Sequence, residues 1–101
     1  VWDSLAVKSR PEWARVNEKG EPDPNQTSTF GPYVDKLMIP QLQEAATNYD
    51  LDGAWVDGEC WATRPDYAEG IVKQFLKSSG LRSVPKDEKH EGWNEWLDYN
   101  R

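Results

Sequence analysis

Tyr49-Asp50-Leu51-Asp52-Gly53-Ala54-Trp55-Val56-Asp57-Gly58-Glu59-Cys60-Trp61 is the stretch on which the fold reading turns. A helix-like segment gives way here to a short apolar strand, Gly53 to Asp57, in which small or β-branched Ala54 and Val56 alternate with Trp55 and Asp57. Alternate side chains of a strand share a face, so Trp55, Asp57 and Glu59 point one way while Ala54 and Val56 pack the other. Carboxylates delivered at the C-terminal end of a strand, beside flat aromatic rings, suit chemistry at an anomeric carbon in a barrel-type α/β enzyme.

The stretch is flanked by helices. Val34, Leu37, Met38, Leu42, Ala45, Ala46 and Tyr49 follow three- and four-residue steps, which predicts a helix with one apolar face from Tyr33 to Tyr49. Pro40 lies within it and should kink the helix or begin a second one, because it brings no backbone donor. Downstream, Asp66 and Glu69 have the spacing of a capping pair. Ala68, Ile71, Val72, Phe75 and Leu76 then mark a helix that Gly80 closes. A polar link through Pro85-Lys86-Asp87-Glu88-Lys89 leads to a last helix from about Gly92. Residues 1–32, punctuated by Pro11, Pro22, Pro24 and Gly20, read as a long ordered loop with a small hairpin turn around Glu18-Lys19-Gly20.

The organisation is thus a single segment, 1–101: a loop over 1–32, helix-strand-helix over 33–80, and a linker and helix over 81–101. A lone strand cannot make a sheet, and a complete (β/α)₈ barrel takes about 250 residues against the 101 here. The expected fold class is therefore α/β, a partial (β/α)₈ TIM-barrel segment whose partner strands lie in the loop region or in the remainder of the barrel domain.

Composition narrows the ligand class. With 12 Lys and Arg against 18 Asp and Glu, the net charge is −6, which argues against nucleic acid or an anionic membrane surface as partner. No apolar run approaches the length of a membrane span. Six tryptophans among 101 residues point instead to a small Trp-rich core and to aromatic platforms for a carbohydrate. Single Cys60 allows no internal disulfide and leaves the compartment open.

Pro40-Gln41-Leu42-Gln43-Glu44 through Tyr49, followed by Asp52-Gly53-Ala54-Trp55-Val56-Asp57-Gly58, resembles the barrel segment of α-L-fucosidase-like glycoside hydrolases, with its Trp-x-Asp-Gly element. The resemblance implies a retaining mechanism with Asp57 as the nucleophile. Trp2-Asp3-Ser4, Arg10-Pro11-Glu12-Trp13-Ala14 and Gly31-Pro32-Tyr33 are similar to a related group of bacterial barrel glycosidases, which carry His ahead of Pro-Glu-Trp where this chain has Arg10.

The candidate catalytic residues are Asp57 and Glu59, and the candidate sugar-binding residues are Trp55, Trp61, Asp52 and Trp13. A retaining mechanism needs carboxyls about 5–5.5 Å apart, and residues two apart on a strand are roughly 6–7 Å apart at Cα, which makes Glu59 a geometrically feasible partner. The bland alternative makes Asp57-Gly58 a strand-terminating turn and Asp52 a solvated acid.

No cofactor or metal is expected. Asp50-Leu51-Asp52-Gly53 departs from a calcium loop because Ala54 and Trp55 occupy the required ligand and glycine positions, although a looser site of Asp52, Asp57 and Glu59 is conceivable. His90 is the sole histidine and reads as solvent-exposed; Cys60 reads as a small packed residue. Trp93 and Trp96, three apart, read as a helix-docking contact. The alternative to an enzyme is a non-catalytic carbohydrate-binding or interaction module, and a third reading is a helical domain whose tryptophans are all core.

Overall fold

In a computed structural model of the chain, residues 1–55 and 64–101 are described. They form α1 (Ser4–Ser9), a 3₁₀ turn (Pro11–Trp13), β1 (Ala14–Val16), β2 (Pro22–Thr27), a wide helical turn (Val34–Met38), α2 (Ile39–Tyr49), α3 (Glu69–Ser79) and α4 (Trp93–Tyr99). The β1–β2 pair is the only sheet among the described residues. The chain divides into two compact units: Val1–Ala14 with Pro24–Gly58, and Arg15–Asp23 with Glu59–Arg101.

The expected N-terminal loop is largely regular structure. Asp3 caps α1, its carboxylate accepting the Ala6 amide at 2.9 Å. The five-residue connection between the strands can join only an antiparallel pair. At its tip the Asn17 side-chain oxygen accepts the amides of Lys19 and Glu21, and Gly20 supplies a φ of 84°. Pro22 and Pro24 inside β2 are what disguise this strand in the sequence.

In the first unit, Asp3 donates its amide to Asn25 and Thr27 donates its amide to Val1, both at 2.8 Å, setting Trp2 opposite Gln26 in an antiparallel bridge. The helix expected over 33–49 is split where Pro40 falls. Pro40 sits in the first turn of α2, and the Ile39 amide reaches back five residues to Val34. No α2 residue is buried. Residues 53–55 are not in a strand, and the rest of the expected strand, Val56 and Asp57, lies outside the described residues.

Large apolar side chains stand bare in this unit: Trp2, Leu5, Phe30, Leu42, Tyr49, Leu51 and Trp55 are all exposed. Trp2 and Trp55 in solvent overturn the reading in which every tryptophan is core.

The second unit has its own core, Ile71, Phe75 and Trp96, flanked by Tyr67, Val72, Leu76, Leu81, Val84, Trp93 and Tyr99. Ile71 and Phe75 are four apart on α3, and Trp93 and Trp96 three apart on α4, so each helix turns one face inward. Trp96 is fully buried, with its ring centroid 4.7 Å from Phe75 and 5.4 Å from Tyr67 in tilted arrangements. Gly80, at φ 72°, ends α3 and donates its amide to Leu76.

The expected Asp66–Glu69 capping pair does not form. Glu69 instead pairs with Lys73 one turn on, and this contact lowers its pKa through the hydrogen bond first and the lysine charge second. Asp66 is buried, and its Oδ1 accepts the amides of Val16 at 3.1 Å and Ala68 at 3.0 Å. Its own amide donates to Asn100 Oδ1 at 2.8 Å, and Tyr67 donates its amide to Val16 at 2.9 Å. One carboxylate therefore ties β1 to the start of α3, where a capping box would have satisfied only the helix.

Candidate functional site

Of the residues singled out in the sequence, Asp57, Glu59 and Trp61 lie outside the described residues, as does Cys60. Trp55 is 89% exposed, Asp52 is exposed and Trp13 is half-buried. Among the described residues the most organised group of chemically capable side chains in the first unit is built around Trp13.

That group begins with the turn. Arg10 ends α1, donating its amide to Ala6 at 2.8 Å, and Pro11 opens the 3₁₀ turn with its fixed φ. Trp13 donates its amide to Arg10 at 2.9 Å and accepts the Ser28 amide at 2.8 Å, so its backbone is pinned on both sides. The Arg10 guanidinium carbon stands 5.8 Å from the centroid of the Trp13 ring, within cation–π range. Tyr33 meets the same indole edge to face, with centroids 6.1 Å apart and planes at 70°. The Tyr33 hydroxyl donates to Asp3 Oδ2 at 3.0 Å.

Burial, then the hydrogen bond to Asp3 and that carboxylate's charge, hold the Tyr33 hydroxyl above its usual pKa. It therefore stays a neutral donor at ordinary pH. Arg10, Trp13, Tyr33 and Asp3 thus form a chain of contacts from an exposed cation, through an aromatic ring, to a carboxylate engaged through both oxygens. Reading the sequence assigned no role to Tyr33 or Asp3. The Asp-Ser pair ahead of an apolar segment is the signal that marks Asp3 as a cap.

In the second unit, His90 is half-buried, not solvent-exposed as expected. Its Nδ1 accepts the Gly92 amide at 3.1 Å because the turn into α4 folds that amide back onto the ring. With Nδ1 accepting, Nε2 is the ring nitrogen left to carry a proton toward Ser83 Oγ, 3.4 Å away. A general base needs a free Nε2 lone pair toward the hydroxyl, so this Ser–His pair is set the wrong way round for a nucleophile. Trp93 and Trp96 pack in the core.

No group of three His, Cys, Asp or Glu side chains among the described residues is placed to hold a metal ion. No helix among them is long and apolar enough to cross a membrane. No protein family matches the chain, and neither curated proteins nor solved structures give a match.

Proposed function

We propose that this chain is the part of a retaining glycoside hydrolase barrel, α-L-fucosidase-like, that carries the nucleophile, Asp57. The observation that carries this reading is the meeting of Asp3, Arg10-Trp13 and Tyr33. These come from three separate stretches similar to bacterial barrel glycosidases, and they fold onto one another in a single contact chain. The bare apolar side chains of the first unit agree with a segment that docks against the remainder of a barrel.

In this mechanism Asp57 attacks the anomeric carbon as an acid protonates the departing glycosidic oxygen, giving a covalent glycosyl-enzyme that water then hydrolyses. Glu59 is the candidate second carboxyl, and Trp55, Trp61, Asp52 and Trp13 are the candidate sugar-binding residues. The test is turnover of aryl glycosides by the full-length gene product. Asp57→Asn should lose about 10³-fold or more in kcat while retaining sugar binding, and undiminished turnover would sink the proposal.

A second reading, a carbohydrate-binding or interaction module without catalysis, is favoured by the exposure of Trp55 and Trp2. It predicts sugar binding by this chain alone, weakened by Trp55→Ala and indifferent to Asp57→Asn.

A further inference from the structure

We propose that His90 is an acid-sensitive latch on α4: its neutral ring holds the entry to that helix closed through the Gly92 amide, and protonation of the ring releases it and loosens the core around Trp96. All the groups involved lie in the second unit, so the proposal stands independently of the carbohydrate reading.

The ring is placed by its own backbone. The His90 amide donates to the Asp87 carbonyl at 3.2 Å, and the His90 carbonyl accepts the Trp93 amide at 3.0 Å. Nδ1 then accepts the Gly92 amide at 3.1 Å, a contact two residues on that an Asp or Asn oxygen usually makes at a turn. Asp87 makes it just upstream, taking the Lys89 amide on its carboxylate at 2.9 Å. At His90 the acceptor is instead a nitrogen that takes up a proton near neutral pH. Gly92 is the N-cap residue of α4, and its carbonyl accepts the Trp96 amide at 2.9 Å. The imidazole therefore bears on the residue where the helix begins.

Imidazolium carries a proton on both nitrogens. Nδ1–H then faces the Gly92 N–H, donor against donor. Gly92 is buried, and a Cβ on it would collide with Leu81, so water cannot supply the lost acceptor unless the turn opens. Opening disturbs Leu81 and Trp93, both of which pack against Ile71, Phe75 and Trp96.

The charges nearby nearly cancel. In the loop, Arg82, Lys86 and Lys89 stand against Asp87, Glu88 and Glu91, and these, like Glu95 on α4, are all exposed. Among the described residues none of them bonds to the ring, whose side-chain partner is Ser83 Oγ. A hydroxyl accepts from Nε2 in either state, so that contact is indifferent to the change. Tyr67, which donates its hydroxyl to the Pro85 carbonyl, stays neutral throughout because burial first, and then the charges of Glu18 and Asp87, raise its pKa. The contribution of the neutral imidazole is thus complete above the range in which such rings titrate, roughly pH 6.5, and is lost below it.

The experiment follows hydrogen exchange of the Trp96 and Asn100 amides, which close turns of α4, in the 101-residue chain at about pH 8 and about pH 5.5, corrected for intrinsic rates. Protection should fall about tenfold at the lower pH, the size expected from one stranded amide. His90→Asn keeps an acceptor at the position of Nδ1 and cannot titrate, so it should hold its protection at both. His90→Ala has no acceptor and should be poorly protected at both. Where a variant fails to fold, the unsubstituted chain decides: His90 is its sole histidine, and the Gly92 amide resonance should move with the same midpoint as the ring's Cε1–H resonance. Equal protection at the two pH values, an equal fall in His90→Asn, or a Gly92 resonance that does not titrate with the ring overturns the proposal.

Discussion

The Tyr33 hydroxyl donates to Oδ2 of Asp3 at 3.0 Å while Oδ1 of the same carboxylate accepts the Ala6 amide at 2.9 Å, so one side chain caps α1 and anchors a residue 30 positions away. Tyr33→Phe removes only the anchor, and water can replace the lost donor at the half-buried Asp3. We expect a cost of about 1–2 kcal/mol, read from the urea midpoint. Asp3→Ala removes the cap as well and strands the Tyr33 hydroxyl, and should cost roughly 1 kcal/mol more.

The same contact sets a pH dependence. Because the folded-state pKa of Tyr33 is raised, its contribution to stability is complete below the unfolded value of 10.0 and is lost as pH rises through the higher folded value. Tyr67 behaves alike. Burial is its main cause, with Glu18 and Asp87 adding and the Trp96 indole opposing. A spectrophotometric titration at alkaline pH should show these two tyrosines ionising late, and Tyr33→Phe should delete one late step. An unchanged late amplitude would refute the assignment.

Asp66 gives a sharper comparison. Removing its side chain by Asp66→Ala leaves the Val16 and Ala68 amides without their acceptor, for a cost of roughly 2–4 kcal/mol. Asp66→Asn keeps an acceptor oxygen for both amides. Its cost should be clearly smaller, since the second oxygen, Oδ2, is buried without a hydrogen-bond partner and loses no bond. Equal losses for the two variants would show that packing, not these hydrogen bonds, holds the junction.

Gly92 is constrained by space and not by its φ of −89°. A Cβ there would collide with Leu81 Cδ1, which packs against the Trp96 core, and lie 3.4 Å from Cγ of buried Pro85. Gly92→Ala should therefore cost about 1–3 kcal/mol, and the cost should fall when Leu81→Ala is added, a coupling that a double-mutant cycle measures. Gly20 is the converse case. Nothing lies within 4 Å of its would-be Cβ, but its φ is 84°, so Gly20→Ala should cost about 1 kcal/mol through backbone strain alone.

Helices were legible where periodicity and punctuation agreed. Ile71, Phe75 and Gly80 announce α3, and Pro40 marks where α2 begins. What the sequence concealed was longer in range. The partner of Asp66 is Val16, 50 positions away, and no local spacing encodes that choice over the capping pair with Glu69. β2 was hidden by its own prolines, and α1 by its brevity, although Asp3 carried the capping signal. In the candidate site, Trp13 was legible as an aromatic in a turn. Its pairing with Tyr33 and Arg10 depends on the turn at Pro11 and on the register of β2, neither of which a local pattern displays.

The last expectation concerns the first unit's bare surface. Trp55 is 89% exposed, Leu5 76% and Tyr49 73%, and Leu42 and Leu51 are also exposed, whereas the described large apolar residues of the second unit pack around Trp96. Exposed groups contribute little to the folded state, so Leu42→Lys with Leu51→Lys should shift stability by no more than about 0.5 kcal/mol. The same substitutions replace two of the exposed apolar side chains of a surface that water meets unfavourably. We therefore expect the unsubstituted chain to bind a hydrophobic dye such as ANS and to self-associate with rising concentration, and the double variant to do less of both in sedimentation velocity. A dye-negative, monomeric chain at high concentration would mean that these side chains need no cover, and would remove the docking support for the barrel reading.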